Sequence, residues 1–283
     1  MRRTVVLNVV GLTRSLLGEH TPNLGSLFSG RADIRSMTPA VTCPVQATYL
    51  TGHPPSEHGI VGNGWYFRSL SEVMFWKQSN RLVQGEKIWH EARRRDGSFT
   101  CANTGWWFNM ATDADYVVTP RPLYCADGRK IPDCYTVPPD LRFQFTERFG
   151  RFPLFQFWGP ATSIVSSEWL ARAAMALEEE FSPSLHLIYL PHLDYALQRV
   201  GPSGDLARDL REIDEVCGRL IDFFTSRGCR VVALSEYGVS DVTRPVHPNR
   251  LLRGLDLLEI KEDLGREYLD FGRCRAFAVC DHQ

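Results

Sequence analysis

The sequence predicts an α/β fold, a mainly parallel central sheet with helices on both faces. Two short, near-continuous apolar runs, VVLNVV at 5–10 and LHLIYL at 185–190, have the length of strands buried on both sides. Other stretches repeat apolar residues with a helical period: Trp169, Ala173, Ala174 and Leu177 in one, and Leu206, Leu210, Ile213, Val216, Cys217, Leu220 and Phe224 in another. The two kinds of segment alternate, as parallel strands joined by crossover helices require.

In chain order, residues 4–10 form the first strand, closed by Gly11. Thr21-Pro22-Asn23-Leu24 opens a short helix with Thr21 as N-cap and Pro22 at its first position. A further strand is expected at 31–35. The next helix starts near Cys43-Pro44 with Thr42 as its cap. A helix at 167–181, a strand at 185–190 and a long helix through Phe224 follow. Gly228 ends that helix and CRVVAL at 229–234 is the next strand. His247-Pro248 precedes a helix at 249–258, and RAFAVC at 275–280 is expected as the last strand.

The chain reads as a single domain, 1–283, with an inserted lid at 64–139. That stretch holds five of the seven Trp, at 65, 76, 89, 106 and 107, and lacks the clean alternation seen elsewhere. Its aromatics either stack on a substrate group or build the lid's own small core, the commoner use.

Composition narrows the function classes. Lys+Arg number 32 and Asp+Glu 33, a net charge of -1, so nothing draws the chain to nucleic-acid polymers or anionic membranes. The 43% hydrophobic content excludes a disordered chain. With Lys only at 77, 87, 130 and 261, 32 − 4 = 28 basic residues are Arg. GC-rich codon usage accounts for most of that excess, leaving a few Arg for phosphate binding. The eight Cys form no CxxC pair and no zinc-finger spacing; Cys217, Cys229 and Cys280 read as small core residues, favouring a reducing compartment. The apolar run after Arg2-Arg3 is short, contains Asn8 and lacks a cleavage site, so no signal peptide is expected and the location reads as cytoplasmic. No run is long enough for a transmembrane helix.

In such sheets function sits at the carboxyl ends of strands. Reading past each strand places Val10-Gly11, Thr42, Asp194, Glu236, Asp281 and His282 toward one edge. Thr42 at a helix N-terminus is a natural place for a phosphate, and equally a natural helix cap. His192, two residues before Asp194, can face the same metal from a loop.

Four blocks in order resemble the nucleotide pyrophosphatase/phosphodiesterase family of the alkaline phosphatase superfamily. They are TPNL at 21–24, PAVTCPVQATYLTGHPPSEHGIVGN at 39–63, YLPHLDYALQRVGP at 189–202 and ALSEYGVSD at 233–241. The resemblance implies an alkaline-phosphatase-like three-layer fold. It also implies a Thr nucleophile, here Thr42, held by two zinc ions and attacking a phosphodiester or pyrophosphate through a phospho-threonine intermediate. Asn63, 63 − 42 = 21 residues on, is then the donor to the phosphoryl oxygen, and Asp194 a metal ligand.

The remaining ligands depart from the family's pattern. Val10 stands where an Asp is expected, Gln198 where a His is expected, and Glu236-Tyr237 where the family has Asp-His. The last His ligand is His282 or lies beyond Gln283, and the domain reads as C-terminally incomplete. Val10 cannot bind metal and Tyr237 is a poor zinc ligand. One divalent metal or none is therefore expected, magnesium or manganese rather than zinc. The resulting expectation is a phosphodiesterase/pyrophosphatase-family hydrolase of a small phosphorylated molecule with an altered site. The alternative is a binding or scaffold protein on the same fold.

Overall fold

The computed structural model describes residues 1–27, 30 and 32–280. The first half runs β1 (Thr4–Val9), α1 (Pro22–Ser26), α2 (Thr42–Thr51), α3 (Pro55–His58), β2 (Gly64–Phe67), β3 (Glu72–Phe75), α4 (Ile88–Arg95), β4 (Cys101–Thr104), β5 (Tyr116–Pro120), β6 (Leu123–Tyr124), β7 (Lys130–Ile131) and β8 (Cys134–Val137). Then come α5 (Leu141–Phe149), α6 (Val165–Phe181), β9 (Leu185–Leu190), α7 (His192–Val200), α8 (Ala207–Thr225), β10 (Arg230–Leu234), α9 (Pro248–Gly254), β11 (Ile260–Asp263) and β12 (Arg266–Leu269).

Six strands form the central sheet in the order β10-β1-β9-β4-β5-β8. All neighbours are parallel except β8, which runs against β5. The pleat sends alternate side chains to opposite faces. Val5, Leu7 and Val9 of β1 with Ile188 and Leu190 of β9 pack on α8 residues such as Ile213, Cys217 and Phe224. Leu185, Leu187 and Tyr189 of β9 join the other cluster with Trp89, Phe145 and Trp169. Both faces are covered, as the unbroken apolar runs required.

Register positions the site. Asn8 lies opposite Leu234 on one side and Tyr189 on the other, so β1, β9 and β10 end together. Gly11 then turns the chain with φ +83°, and a Cβ there would stand 2.6 Å from Leu197 Cδ1 on α7. Only glycine allows β1's exit to pass this close to the helix that follows β9.

The segment 64–139 divides between sheet and surface. It supplies β4, β5 and β8 as well as the hairpins β2–β3 and β6–β7. Trp89 and Trp106 are in the main core, while Trp107 packs with Cys43, Ile60 and Phe108 in a smaller cluster flanked by Trp65 and Trp76.

Several expectations are corrected. Residues 32–35 of the strand expected at 31–35 have no regular structure and are exposed; Arg31 lies outside the described residues. Ile34 is the sole large apolar residue there, too little to hold a strand in a core. Residues 275–280 are not a strand either, and Cys280 is exposed. The backbone of Ala278 pairs with the Asn249 carboxamide, which donates to its carbonyl at 2.9 Å and accepts from its N–H at 2.7 Å. A side chain thus takes the place of a strand neighbour. The helix expected at 249–258 stops at Gly254. The cap of α1 is also not the expected one. Thr21 Oγ1 accepts from Gly18 N–H instead, and the Asp214 carboxylate of α8 takes the N–H groups of Asn23 and Leu24 at 3.0 and 2.8 Å.

Candidate functional site

Four segments meet where β1, β9 and β10 end. Thr42 is the first residue of α2; Val41, extended at φ -133° and ψ 159°, occupies the cap position, and no side chain caps the helix. The Thr42 hydroxyl is therefore not spent on capping. Its Oγ1 lies 3.5 Å from the Tyr237 hydroxyl. Asn63 Oδ1 accepts the Cys43 N–H at 2.9 Å, which fixes the carboxamide beside Thr42 with Nδ2 as its donor end.

Glu236, just past β10, is buried. Its Oε1 accepts from Asn8 Nδ2 at 2.6 Å and Gln46 Nε2 at 2.5 Å, while its Oε2 is buried with no hydrogen-bond partner. Gln46 Oε1 in turn accepts the Trp107 N–H at 2.5 Å. Asp194, in the first turn of α7, accepts from Gln198 Nε2 at 2.8 Å through Oδ2; its Oδ1 is buried and unpartnered. Val10, by contrast, is wholly apolar contact in the core.

Burial dominates the electrostatics. It raises the Glu236 carboxyl to about 7, with the Asp194 charge adding to the rise and Gln46, Asn8 and the Thr42 hydroxyl pulling it back. Burial likewise raises Asp194 to about 6, against the opposing pull of Gln198 and Tyr237. The Tyr237 phenol is pushed well up by burial and both carboxyls, so it stays neutral. One or both carboxyls can thus gain or lose a proton near neutral pH.

A cavity of about 420 Å³ opens beside this cluster. Trp76, Trp107, Phe157 and Trp158 give it apolar walls, and Asp194, Gln198 and Arg199 line it as well. Trp107 and Trp76, from the segment expected as a lid, pack in their own small cluster and also line the cavity. Thr42 itself is fully covered at 0% exposure.

Thr42, Asn63, Asp194, Glu236 and Tyr237 come together, and Gln198 joins them through Asp194. His192 does not. Its Nε2 faces α8, 3.2 Å from Glu212 Oε2 and 3.5 Å from Asp209 Oδ1. As the first residue of α7 it points away from Asp194's partners, a direction that spacing alone does not fix. Burial pushes its imidazole down, against the pull of Asp209 and Glu212. His58 is structural: Nδ1 accepts the Ile60 N–H and Nε2 reaches Thr48 Oγ1 at 3.0 Å. His53 pairs with Glu57 at the surface. His282 and Asp281 lie outside the described residues.

Sequence reasoning missed Asn8 and Gln46, which hold Glu236. Their signal was present: Asn8 is the lone polar residue of the apolar run VVLNVV, and Gln46 lies one helical turn after Thr42.

A model of the type I phosphodiesterase / nucleotide pyrophosphatase family matches residues 4–283. The chain belongs to this family. A pyrophosphatase/phosphodiesterase of Schizosaccharomyces pombe, itself uncharacterised, is 27% identical over 248 residues, 82% of this chain and 42% of that protein. Murine ectonucleotide pyrophosphatase/phosphodiesterase 5, solved as an inactive variant in complex with AMP, matches with a TM-score of 0.60 at 14% identity, over 95% of this chain and 66% of its own. The chain thus spans less than two thirds of either protein, and the murine likeness establishes the mostly parallel α/β fold. Among the described residues, no helix of this family member is long and apolar enough to cross a membrane.

Proposed function

We propose that the chain acts on a small phosphorylated molecule, a phosphodiester or pyrophosphate, with Thr42 as nucleophile. The observation that supports this most directly is the Thr42 hydroxyl itself. It caps nothing at the N-terminus of a ten-residue helix, lies beside an Asn63 carboxamide fixed by the Cys43 N–H, and hydrogen-bonds the Glu236 carboxyl. As Oγ1 bonds to phosphorus, the bond to the leaving oxygen breaks. The hydroxyl proton passes to Glu236, whose position near 7 suits a base at neutral pH. Asn63 Nδ2 and the start of α2 face the growing phosphoryl charge. Water then releases the phosphate from threonine. Arg199 gives the cavity a cation for a phosphate or carboxylate group of the ligand.

The donors do not fit a two-zinc centre. Val10, Gln198 and Tyr237 stand at three of its ligand positions, and N–H groups of Gln198, Gln46 and Asn8 point at oxygens a zinc ion would take. Among the described residues of the site, Asp194 Oδ1 and Glu236 Oε2 are the carboxyl oxygens that could face a single hard cation such as magnesium or manganese. Because Thr42 is covered, turnover also requires Tyr237 or its neighbours to move aside.

The test is hydrolysis of bis-p-nitrophenyl phosphate and of a dinucleoside pyrophosphate, after chelation and after adding magnesium, manganese or zinc. Turnover should fall about 100-fold or more in Thr42→Ala. Turnover that survives this change refutes the role of Thr42. A second reading, binding without cleavage, rests on the covered Thr42 and the blocked carboxyl oxygens. AMP, bound by the murine relative, is the first ligand to try: a raised melting temperature without turnover of any ester selects this reading.

A further inference from the structure

We propose that His192, Asp209 and Glu212 form a separate transition-metal site that fastens the start of α7 to α8. Among the described residues this is the one group of three His, Cys or acidic side chains whose ligand atoms all lie within 4.8 Å of one another. Asp209 and Glu212 are three residues apart on α8, hence on one face. His192 Nε2 enters from α7, 3.5 Å from Asp209 Oδ1 and 3.2 Å from Glu212 Oε2. In a tetrahedral site with bonds of about 2.1 Å, neighbouring ligand atoms stand about 3.4 Å apart. The two observed separations bracket that edge.

The second observation is the state of the imidazole. His192 is 3% exposed, and its Nε2 is buried without a hydrogen-bond partner although two carboxylates stand next to it. Both oxygens lie within ion-pair distance of Nε2, yet neither meets the geometry of a hydrogen bond. A buried polar atom in that position calls for a partner. A cation placed among the three satisfies all of them at once and balances two negative charges.

The surroundings leave the inner oxygens available. Arg208 Nε holds Glu212 from outside through Oε1 at 2.8 Å, while Oε2 faces His192. Arg199 stands farther off, 3.9 Å from Asp209 Oδ1. The Asp209 and Glu212 side chains are 19% and 25% exposed, so an ion and its remaining water ligands can enter from solvent. One imidazole nitrogen with two carboxylate oxygens suits zinc, cobalt(II) or manganese rather than calcium or magnesium. Asp194 is two residues further along α7 and bonds Gln198 instead, so the two sites share a helix and no ligand. The bound ion holds the turn that carries Asp194; it does not touch substrate.

Zinc and cobalt(II) binding to the chelator-stripped protein tests this, by equilibrium dialysis and by the visible absorption of cobalt. Three proteins are compared: wild type, Asp209→Asn with Glu212→Gln, and Asp194→Asn with Glu236→Gln. Circular dichroism checks that each is folded, which the partly exposed Asp209 and Glu212 favour. Wild type and the Asp194/Glu236 variant should each take up one equivalent of zinc at this site and raise the melting temperature. The Asp209/Glu212 variant should bind that equivalent at least about 10-fold more weakly. No zinc uptake by wild type, equal affinity in the Asp209/Glu212 variant, or uptake lost only in the Asp194/Glu236 variant would overturn the site.

Discussion

Glu236 carries the clearest consequence at the scale of single residues. Its carboxyl is protonated in folded and unfolded chains alike at low pH. As pH passes above the ordinary carboxylate range, the unfolded chain releases the proton, but the folded chain holds it until about 7. Stability from this group is therefore complete below the ordinary value and lost as pH rises through about 7, on the order of 3 kcal/mol. Asp194, raised to about 6, acts in the same sense. Glu236→Gln removes the titration while keeping an acceptor for Asn8 and Gln46. In urea unfolding the variant should match wild type at pH 4 and exceed it at pH 8; parallel pH profiles would contradict the burial argument. Thr42, Asn63, Asp194 and Glu236 were legible as candidates from motif order. The direction of His192 and the grip of Asn8 and Gln46 were not, because each depends on side-chain orientation across elements that spacing along the chain leaves open.

Among the elements, α2 and α7 do most to shape the site, and each depends on a close fit at its end. Gly52, at φ 72°, ends α2 in the left-handed conformation. Gly11 lets β1 pass against α7. Gly11→Ala should cost about 1–3 kcal/mol, from both its φ of +83° and the 2.6 Å approach to Leu197, and should displace the helix that carries Asp194. Urea unfolding measures it, and an unchanged midpoint would show that β1 and α7 are not held this tightly. Elements with a long period or an unbroken apolar run, such as α6, α8, β1 and β9, were readable to within two residues. Short ones were not. The capping of α1 comes from Asp214, some 190 residues away, and the backbone at 278 is completed by Asn249, so local sequence held no sign of either.

Over the whole molecule, sheet order decides what meets what. With β1 between β10 and β9, the turns after those three strands bring Gly11, Asp194 and Glu236 to one edge, and α2 sets Thr42 against them. The even charge balance has a simple counterpart. Arg94, Arg95, Arg129, Arg208 and Arg253 form exposed ion pairs with nearby carboxylates, each worth little. Arg199, by contrast, lines the cavity. The 64–139 segment shows where pattern reading fell short: its three strands of the central sheet are only four or five residues long, and hairpins and loops of the same segment surround them. In the proposed reaction this edge hands a phosphoryl group to Thr42. Acid quenching during turnover of bis-p-nitrophenyl phosphate, followed by mass spectrometry of the intact chain and its peptides, tests it most directly. A phosphoryl-ester adduct on the peptide containing Thr42, absent from Thr42→Ala, is the predicted result; steady turnover with no adduct and no loss in Thr42→Ala would contradict it.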